Sequence, residues 1–175
     1  ESGKYGENST VPTMNSFCYR GQCYGDHGSF GAIGFPMALA VSSNSFYYQV
    51  GLKVGPAELF REARRMGYGQ LTGIDILGES RGVLPSTEWK RNYYKRRDQQ
   101  KWYAGETISL GIGQGYNSFT MLQLAQATST LVNQGVKMRP HLVREVVDVE
   151  TRESRRIAQE PVAQFQYKPE HLAVI

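Results

Sequence analysis

Val41-Ser42-Ser43-Asn44-Ser45-Phe46-Tyr47-Tyr48-Gln49-Val50 is the stretch on which the reading of this chain turns. Small hydroxyls and one amide stand directly ahead of an aromatic, apolar run. Such residues are good N-caps, because their side-chain oxygens accept from the orphan backbone N–H groups of a first helical turn. The pattern predicts a helix from Ser43 or Asn44 to about Lys53. A shorter helix over Phe35 to Val41 precedes it, with Pro36 in its first turn. Residues 42–44 also read as Ser-x-Asn, a candidate fragment of an active site. Taken alone, the triplet is a cap between two helices.

Working outward, residues 1–31 are rich in Gly, Asn, Ser and Tyr and read as loops with one hairpin around Arg20-Gly21-Gln22. Cys18 and Cys23 flank that turn. A disulfide across the hairpin in an oxidising compartment and two reduced thiols are both open. Pro56 to Met66 is an amphipathic helix, with Leu59, Phe60, Ala63 and Met66 on one face and Glu58, Arg61, Glu62, Arg64 and Arg65 on the other. Gly67 and Gly69 stop it. Gln70 to Leu84 looks extended, with turns at Gly73 and Gly78, and a short helix capped by Ser86 follows to about Tyr94. Residues 90–97 form the most basic run and read as a solvated loop.

Gly111-Ile112-Gly113-Gln114-Gly115 has neither the spacing of a dinucleotide fingerprint nor a following Lys-Ser/Thr, so it is read as a tight backbone turn and not a phosphate cradle. Thr120 to Gln134 is a strong helix opened by a Thr120/Gln123 capping box and stopped by Gly135. Its expected buried stripe is Leu124, Ala127, Thr128 and Leu131, with Leu122 and Ala125 alongside. Met138 to Val149 reads as a strand, Thr151 to Ser154 as a turn, and Arg155 to Ala158 as its hairpin partner. Residues 161–168 look irregular, and Pro169 to Ile175 begins a helix.

The 175 residues suffice for one domain with a sizeable core, and a net charge of +4 is too mild to point to nucleic acid. No apolar run approaches the roughly 18 residues of a membrane span, and no leader segment opens the chain. The chain stops within the first turn of an expected helix and reads as an internal piece of a longer protein, any anchor lying outside it.

An ordered series resembles the transpeptidase domain of class B penicillin-binding proteins, the elongation type (penicillin-binding protein 2-like) in particular. It comprises Ser42-Ser43-Asn44 with Ser45-Phe46-Tyr47-Tyr48-Gln49; Met66-Gly67-Tyr68-Gly69 with Thr72-Gly73-Ile74-Asp75; Leu84-Pro85-Ser86-Thr87-Glu88-Trp89-Lys90; Trp102-Tyr103 with Gly105-Glu106-Thr107; Gly111-Ile112-Gly113-Gln114-Gly115-Tyr116; and Asn133-Gln134-Gly135 before Pro140-His141-Leu142. The resemblance implies an α+β fold: the helix-rich part of a penicillin-binding/β-lactamase-like transpeptidase domain over residues 1–175. A C-terminal β-hairpin is expected, with most of the central antiparallel sheet missing. It also implies a serine D,D-transpeptidase on the periplasmic side of the bacterial inner membrane, needing no cofactor. Its partners would be peptidoglycan stem peptides, β-lactam antibiotics and the cell-wall elongation machinery.

Of the family's three motifs only S-x-N is here. No serine has Lys three residues on, and no Lys is followed by Ser or Thr and then Gly. Ser9-Thr10-Val11-Pro12 resembles S-T-V-K, but Pro12 stands at the lysine position and the segment lies too close to Ser42. By resemblance Ser42 is catalytic, its hydroxyl relaying a proton between a lysine and the departing or incoming amine. Asn44 is catalytic and substrate-binding, holding the acyl-side amide and orienting the lysine. The nucleophile would lie elsewhere, so this chain alone should be inactive. Some relatives carry zinc here, with a ligating Cys at the position of Ser43. Asp26 and His27 near Cys18 and Cys23 are chemically suitable zinc ligands, but the spacing matches no zinc module and no metal is expected. The competing readings are a non-catalytic penicillin-recognition or interaction module (sensor or pseudo-enzyme) and a serine β-lactamase.

Overall fold

The computed structural model describes residues 3–6 and 8–172. The hairpin expected at Arg20 is present: β2 (Ser16–Tyr19) pairs antiparallel with β3 (Gln22–Gly25). Arg20 and Gly21 both have positive φ, 49° and 84°, as in the two-residue turn whose twist matches the flanking strands. Cys18 faces Cys23 and the two form a disulfide, which decides between the alternatives that the sequence left open. Closing so short a loop contributes about 2 kcal/mol on the chain-entropy account. A second ribbon, β1 (Val11–Pro12) with β4 (Ala32–Ile33), sets Val11 and Ile33 into a core shared with Ala38 and Phe46.

Three helices follow almost without a break: α1 (Phe35–Ala40), α2 (Asn44–Val54) and α3 (Pro56–Met66). Their bounds lie close to the expected ones, because caps, prolines and glycines are local signals. Phe46 is fully buried, with the rings of Phe35 and Tyr47 each 5.1 Å away. The aromatic run after Asn44 is therefore what roots α2 in the core.

The glycine-rich segment turns as expected, but it follows a helix not anticipated from the sequence: α5 (Ala104–Gly111), after α4 (Thr87–Tyr93). Glu106 reaches back to accept from the Tyr103 N–H at 2.7 Å, which opens α5 despite its glycines. Those glycines serve packing: α5 lies against α2 where Gly111 meets Gly51. A Cβ on Gly111 would stand 2.6 Å from the Tyr47 carbonyl oxygen and 3.3 Å from Gly51 Cα, and neither backbone atom can swing aside. Gly111→Ala should therefore destabilise the fold by about 1–3 kcal/mol. An unchanged thermal midpoint would mean that the helices do not meet at this pair.

The basic run also needs correction. Arg91, Lys95, Arg96 and Arg97 are exposed, but Lys90 is only 4% exposed. Its ammonium donates to a Glu106 carboxylate oxygen and, at 2.8 Å, to the Lys101 carbonyl. The Tyr116 hydroxyl donates to the same carboxylate oxygen at 3.1 Å. The rings of Tyr103 and Tyr116 lie 5.2 and 5.7 Å from the Lys90 nitrogen. The hydrogen bond with Tyr94, then burial, then the Glu106 charge push the Tyr116 phenol well above its usual range. A buried cation persists here because a carboxylate, a carbonyl and two ring faces surround it.

In α6 (Met121–Val132) the capping box forms, Thr120 and Gln123 each receiving the other's N–H at 3.1 Å. The buried stripe is not the expected one. Gln123, Gln126, Ala127 and Thr130 face inward, whereas Leu124 is 46% exposed and Ala125 and Thr128 are exposed. Backbone carbonyls from outside α6 explain this. The Gln123 amide donates to the carbonyls of Gln70 (2.6 Å) and Arg81 (2.8 Å), and the Gln126 amide to that of Met138 (2.8 Å). Buried carbonyls demand donors, so the inward face is polar and Met121, Leu124 and Val132 point outward.

The single strand expected over Met138 to Val149 is two: β5 (Val136–Met138) and β6 (Glu145–Val147). Between them the N–H groups of Leu142 and Val143 donate to the Asp75 carboxylate at 2.7 and 3.0 Å, and so are withdrawn from any ladder. β6 pairs with β7 (Ser154–Arg156) in the expected hairpin. Residues 161–168 are not wholly irregular: β8 (Pro161–Gln164) pairs with β5, with Pro161 at the strand start where its missing N–H is tolerated. α7 (Pro169–Leu172) opens on proline as predicted, and residues 173–175 lie outside the described residues. The fold is thus α+β and helix-rich. Among the described residues every sheet is a two-stranded ribbon, so the central antiparallel sheet is not among them.

Candidate active-site segment

Ser42 occupies the turn between α1 and α2. The Ser43 N–H donates to the Ala38 carbonyl (2.9 Å) and the Ser42 N–H to that of Leu39 (3.1 Å). These are the paired bonds of a Schellman C-cap, which needs a left-handed residue where Ser42 sits. Ser42 meets that need with φ of 53°. Glycine is the ordinary occupant; a serine there costs about 1 kcal/mol. Arg20, Gln134 and Arg152 also take positive φ, so the conformation motivates a functional hypothesis for Ser42 only together with its neighbours. The Ser42 hydroxyl is exposed and makes no hydrogen bond among the described residues.

Ser43 is the N-cap of α2, its hydroxyl accepting from the Phe46 N–H at 3.4 Å. Asn44 is the first helical residue and is half-buried. Its amide is free of the capping task and likewise has no hydrogen-bond partner among the described residues. The chain alternates across this entry: Ser43 and Ser45 are fully buried, Ser42 and Asn44 are not. The two residues singled out by sequence therefore stand on the outward side, one position either side of a buried serine. Ser43, which the resemblance left as the variable middle residue, is the structural anchor.

What Ser43 is anchored to was missed as such by sequence. Asp26 lies just beyond β3, and its side chain is 0% exposed. One carboxylate oxygen accepts from the Ser43 hydroxyl (2.9 Å) and the Ser45 N–H (2.7 Å), the other from the His27 N–H (2.8 Å). Burial alone would raise its pKa, but these hydrogen bonds outweigh that and hold it at about 2, below the ordinary 3.8. A carboxylate whose folded pKa is depressed adds stability above about pH 4. That contribution is lost as pH falls toward 2. Asp26 and His27, candidate metal ligands by residue type, serve the turn instead. Cys18 and Cys23 are bonded to each other, and among the described residues no three His, Cys, Asp or Glu side chains converge on one point. Only a long-range contact assigns Asp26 its place, and no local signal would have found it.

Val11, in the segment that resembles S-T-V-K, is 5% exposed and lies in β1. The segment is structural. Gly113 and Gly115 take positive φ in the turn after α5, the conformation that a tight glycine turn uses.

Against known proteins, the family described as "Penicillin binding protein transpeptidase domain" matches residues 1–172. The chain is 42% identical over 109 residues to the peptidoglycan D,D-transpeptidase MrdA of Haemophilus influenzae, covering 62% of this chain and 16% of that protein. It superposes on Pseudomonas aeruginosa PBP2, solved in complex with WCK 5153, with a TM-score of 0.81 and 28% identity, covering 99% of this chain and 37% of that one. On Helicobacter pylori PBP2, solved in complex with MreC, the TM-score is 0.72 at 26% identity, covering 85% of this chain and 27% of that one. The chain thus spans about a sixth of the length of its curated MrdA relative. On the match over almost its whole length, this chain belongs to the penicillin-binding protein transpeptidase family, with PBP2 (MrdA) proteins among its relatives.

Proposed function

We infer that the parent protein of this chain is a serine D,D-transpeptidase. It cross-links peptidoglycan stem peptides through an acyl-enzyme and is acylated at the same serine by β-lactams. Ser42 relays a proton between the base lysine and the departing or incoming amine, and Asn44 grips the acyl-side amide and orients that lysine. The observation that carries this reading is Ser42 itself. A serine stands in a left-handed cap position where glycine would be less strained, its hydroxyl unpaired among the described residues, with the free Asn44 amide close by. Neither residue can begin acyl transfer, since no base-activated nucleophile accompanies them. The nucleophile belongs to the parent protein and not to these 175 residues, so this piece of the transpeptidase domain is inactive alone.

The reading extends to location and partners. A PBP2 has been solved with MreC, which supports a partner in the cell-wall elongation machinery. The Cys18–Cys23 disulfide fits the oxidising, periplasmic face of the inner membrane. Among the described residues no helix is long and apolar enough to cross a membrane, and the anchor is assigned to the remainder of the parent.

A fluorescent penicillin tests this directly. The parent should take up the label covalently, and the 175-residue chain should not. Stoichiometric labelling of any serine within this chain, or a parent that takes up no label, overturns the reading.

A further inference from the structure

We propose that Asp26 is a positioning residue for the S-x-N turn, acting through Ser43 and Ser45 to hold Asn44 where its role requires. The inference rests on the transpeptidase reading above.

One Asp26 carboxylate oxygen binds both residues that flank Asn44, the Ser43 hydroxyl at 2.9 Å and the Ser45 N–H at 2.7 Å. The Ser45 N–H is one of the orphan donors in the first turn of α2, so Asp26 caps that helix from 19 residues away. Ser43 caps the next N–H, that of Phe46. The two caps are linked through the Ser43 hydroxyl, and together they set the alternation that turns Ser42 and Asn44 outward. A carboxylate suits this task because both of its oxygens accept and neither donates. An asparagine offers one acceptor and presents an N–H₂ group to donors at the other position.

Asp26 is itself pinned. Its N–H donates to the Asn15 carbonyl (2.8 Å), and the Tyr48 hydroxyl donates to the Gly25 carbonyl (3.1 Å). The hairpin that ends at Gly25 is closed by the Cys18–Cys23 disulfide and lays Phe17 and Tyr24 against Tyr48, ring centroids 6.2 and 5.6 Å away. Met14 adds an N–H to the Ser45 hydroxyl at 3.1 Å. The hairpin and the S-x-N turn are thus one rigid unit joined at Asp26. A shift of Asp26 moves the backbone on both sides of Asn44 without touching either outward side chain.

The test uses the full-length parent, the second-order rate of acylation by a fluorescent penicillin, and the thermal midpoint. It compares wild type, Asp26→Asn, Ser43→Ala, Asn44→Ala and the Asp26→Asn/Asn44→Ala and Ser43→Ala/Asn44→Ala pairs. Asp26→Asn should slow acylation of folded protein by about 10-fold or more. In the Asn44→Ala background the same change should alter the rate by less than about 3-fold, because the group it positions is already gone. A merely structural Asp26 would lower the midpoint and leave the rate per folded molecule unchanged, and that result overturns the proposal. So does an effect that multiplies in full with Asn44→Ala. Should Asp26→Asn fail to fold, Ser43→Ala keeps the Ser45 bond and must itself slow acylation, with the same collapse in the Asn44→Ala background. A wild-type parent that takes no label sinks the transpeptidase reading before any variant is compared, and this proposal with it.

Discussion

Replacing Ser42 by glycine is expected to leave the parent at least as stable as wild type, yet slow its acylation by a β-lactam by about 100-fold or more. The two effects separate because position 42 carries two unrelated demands. The Schellman cap wants a left-handed residue, and Ser42 supplies one at φ 53° against its own preference. Glycine relieves that strain, worth about 1 kcal/mol, and raises the thermal midpoint slightly or leaves it unchanged. The relay proposed for Ser42 needs a hydroxyl, which glycine lacks. Asn44→Ala should slow acylation to a similar degree with little loss of stability, since Ser43 and not Asn44 caps α2. Labelling kinetics and thermal melting on the same samples check both. Wild-type rates in the two variants would remove Ser42 and Asn44 from the site.

Lys90→Ala should be the most destabilising single change among these, costing about 3–5 kcal/mol. The Lys90 and Glu106 side chains are only 5% and 17% exposed. Deleting the ammonium leaves the carboxylate with the Tyr116 hydroxyl and the Tyr103 N–H but no countercharge. The Lys101 carbonyl loses its donor as well. Replacing both partners with neutral groups of similar size, Lys90→Met with Glu106→Gln, should cost much less than Lys90→Ala alone, because no uncompensated charge stays behind. Urea unfolding midpoints decide the matter. A loss under about 1 kcal/mol for Lys90→Ala would show that water reaches Glu106 in the native state.

Much of the helical skeleton was legible in the sequence. Ser43, Ser86 and Thr120 announce helix starts, Pro36 and Pro56 sit in first turns, and Gly67 ends α3 in a left-handed conformation. Each of these signals acts within a few residues, so it can be read without knowing the fold. The hairpin at Arg20-Gly21 was legible for the same reason. The failures share the opposite property. α5 was hidden because its glycines look like a loop until α2 is set against them. The inward face of α6 differs from the expected one because Gln123 and Gln126 are buried by carbonyls that arrive from loops 42 to 53 residues earlier and from β5, 12 residues later. Lys90 looked solvated because Glu106, 16 residues on, is invisible to charge patterning.

The S-x-N turn divides along the same line. The sequence by itself determined which residues stand there, that a helix begins at them, and which family their ordered neighbours resemble. These follow from short-range capping chemistry and from the order of motifs along the chain. Only the tertiary structure decided which of the three faces which way. The buried Asp26 carboxylate draws Ser43 and Ser45 inward, and the end of α1 forces Ser42 into a left-handed conformation, so that Ser42 and Asn44 are left facing out. Orientation here depends on an acceptor 17 residues before Ser43, and side-chain direction at a helix entry is settled by whatever donor or acceptor the fold delivers to it.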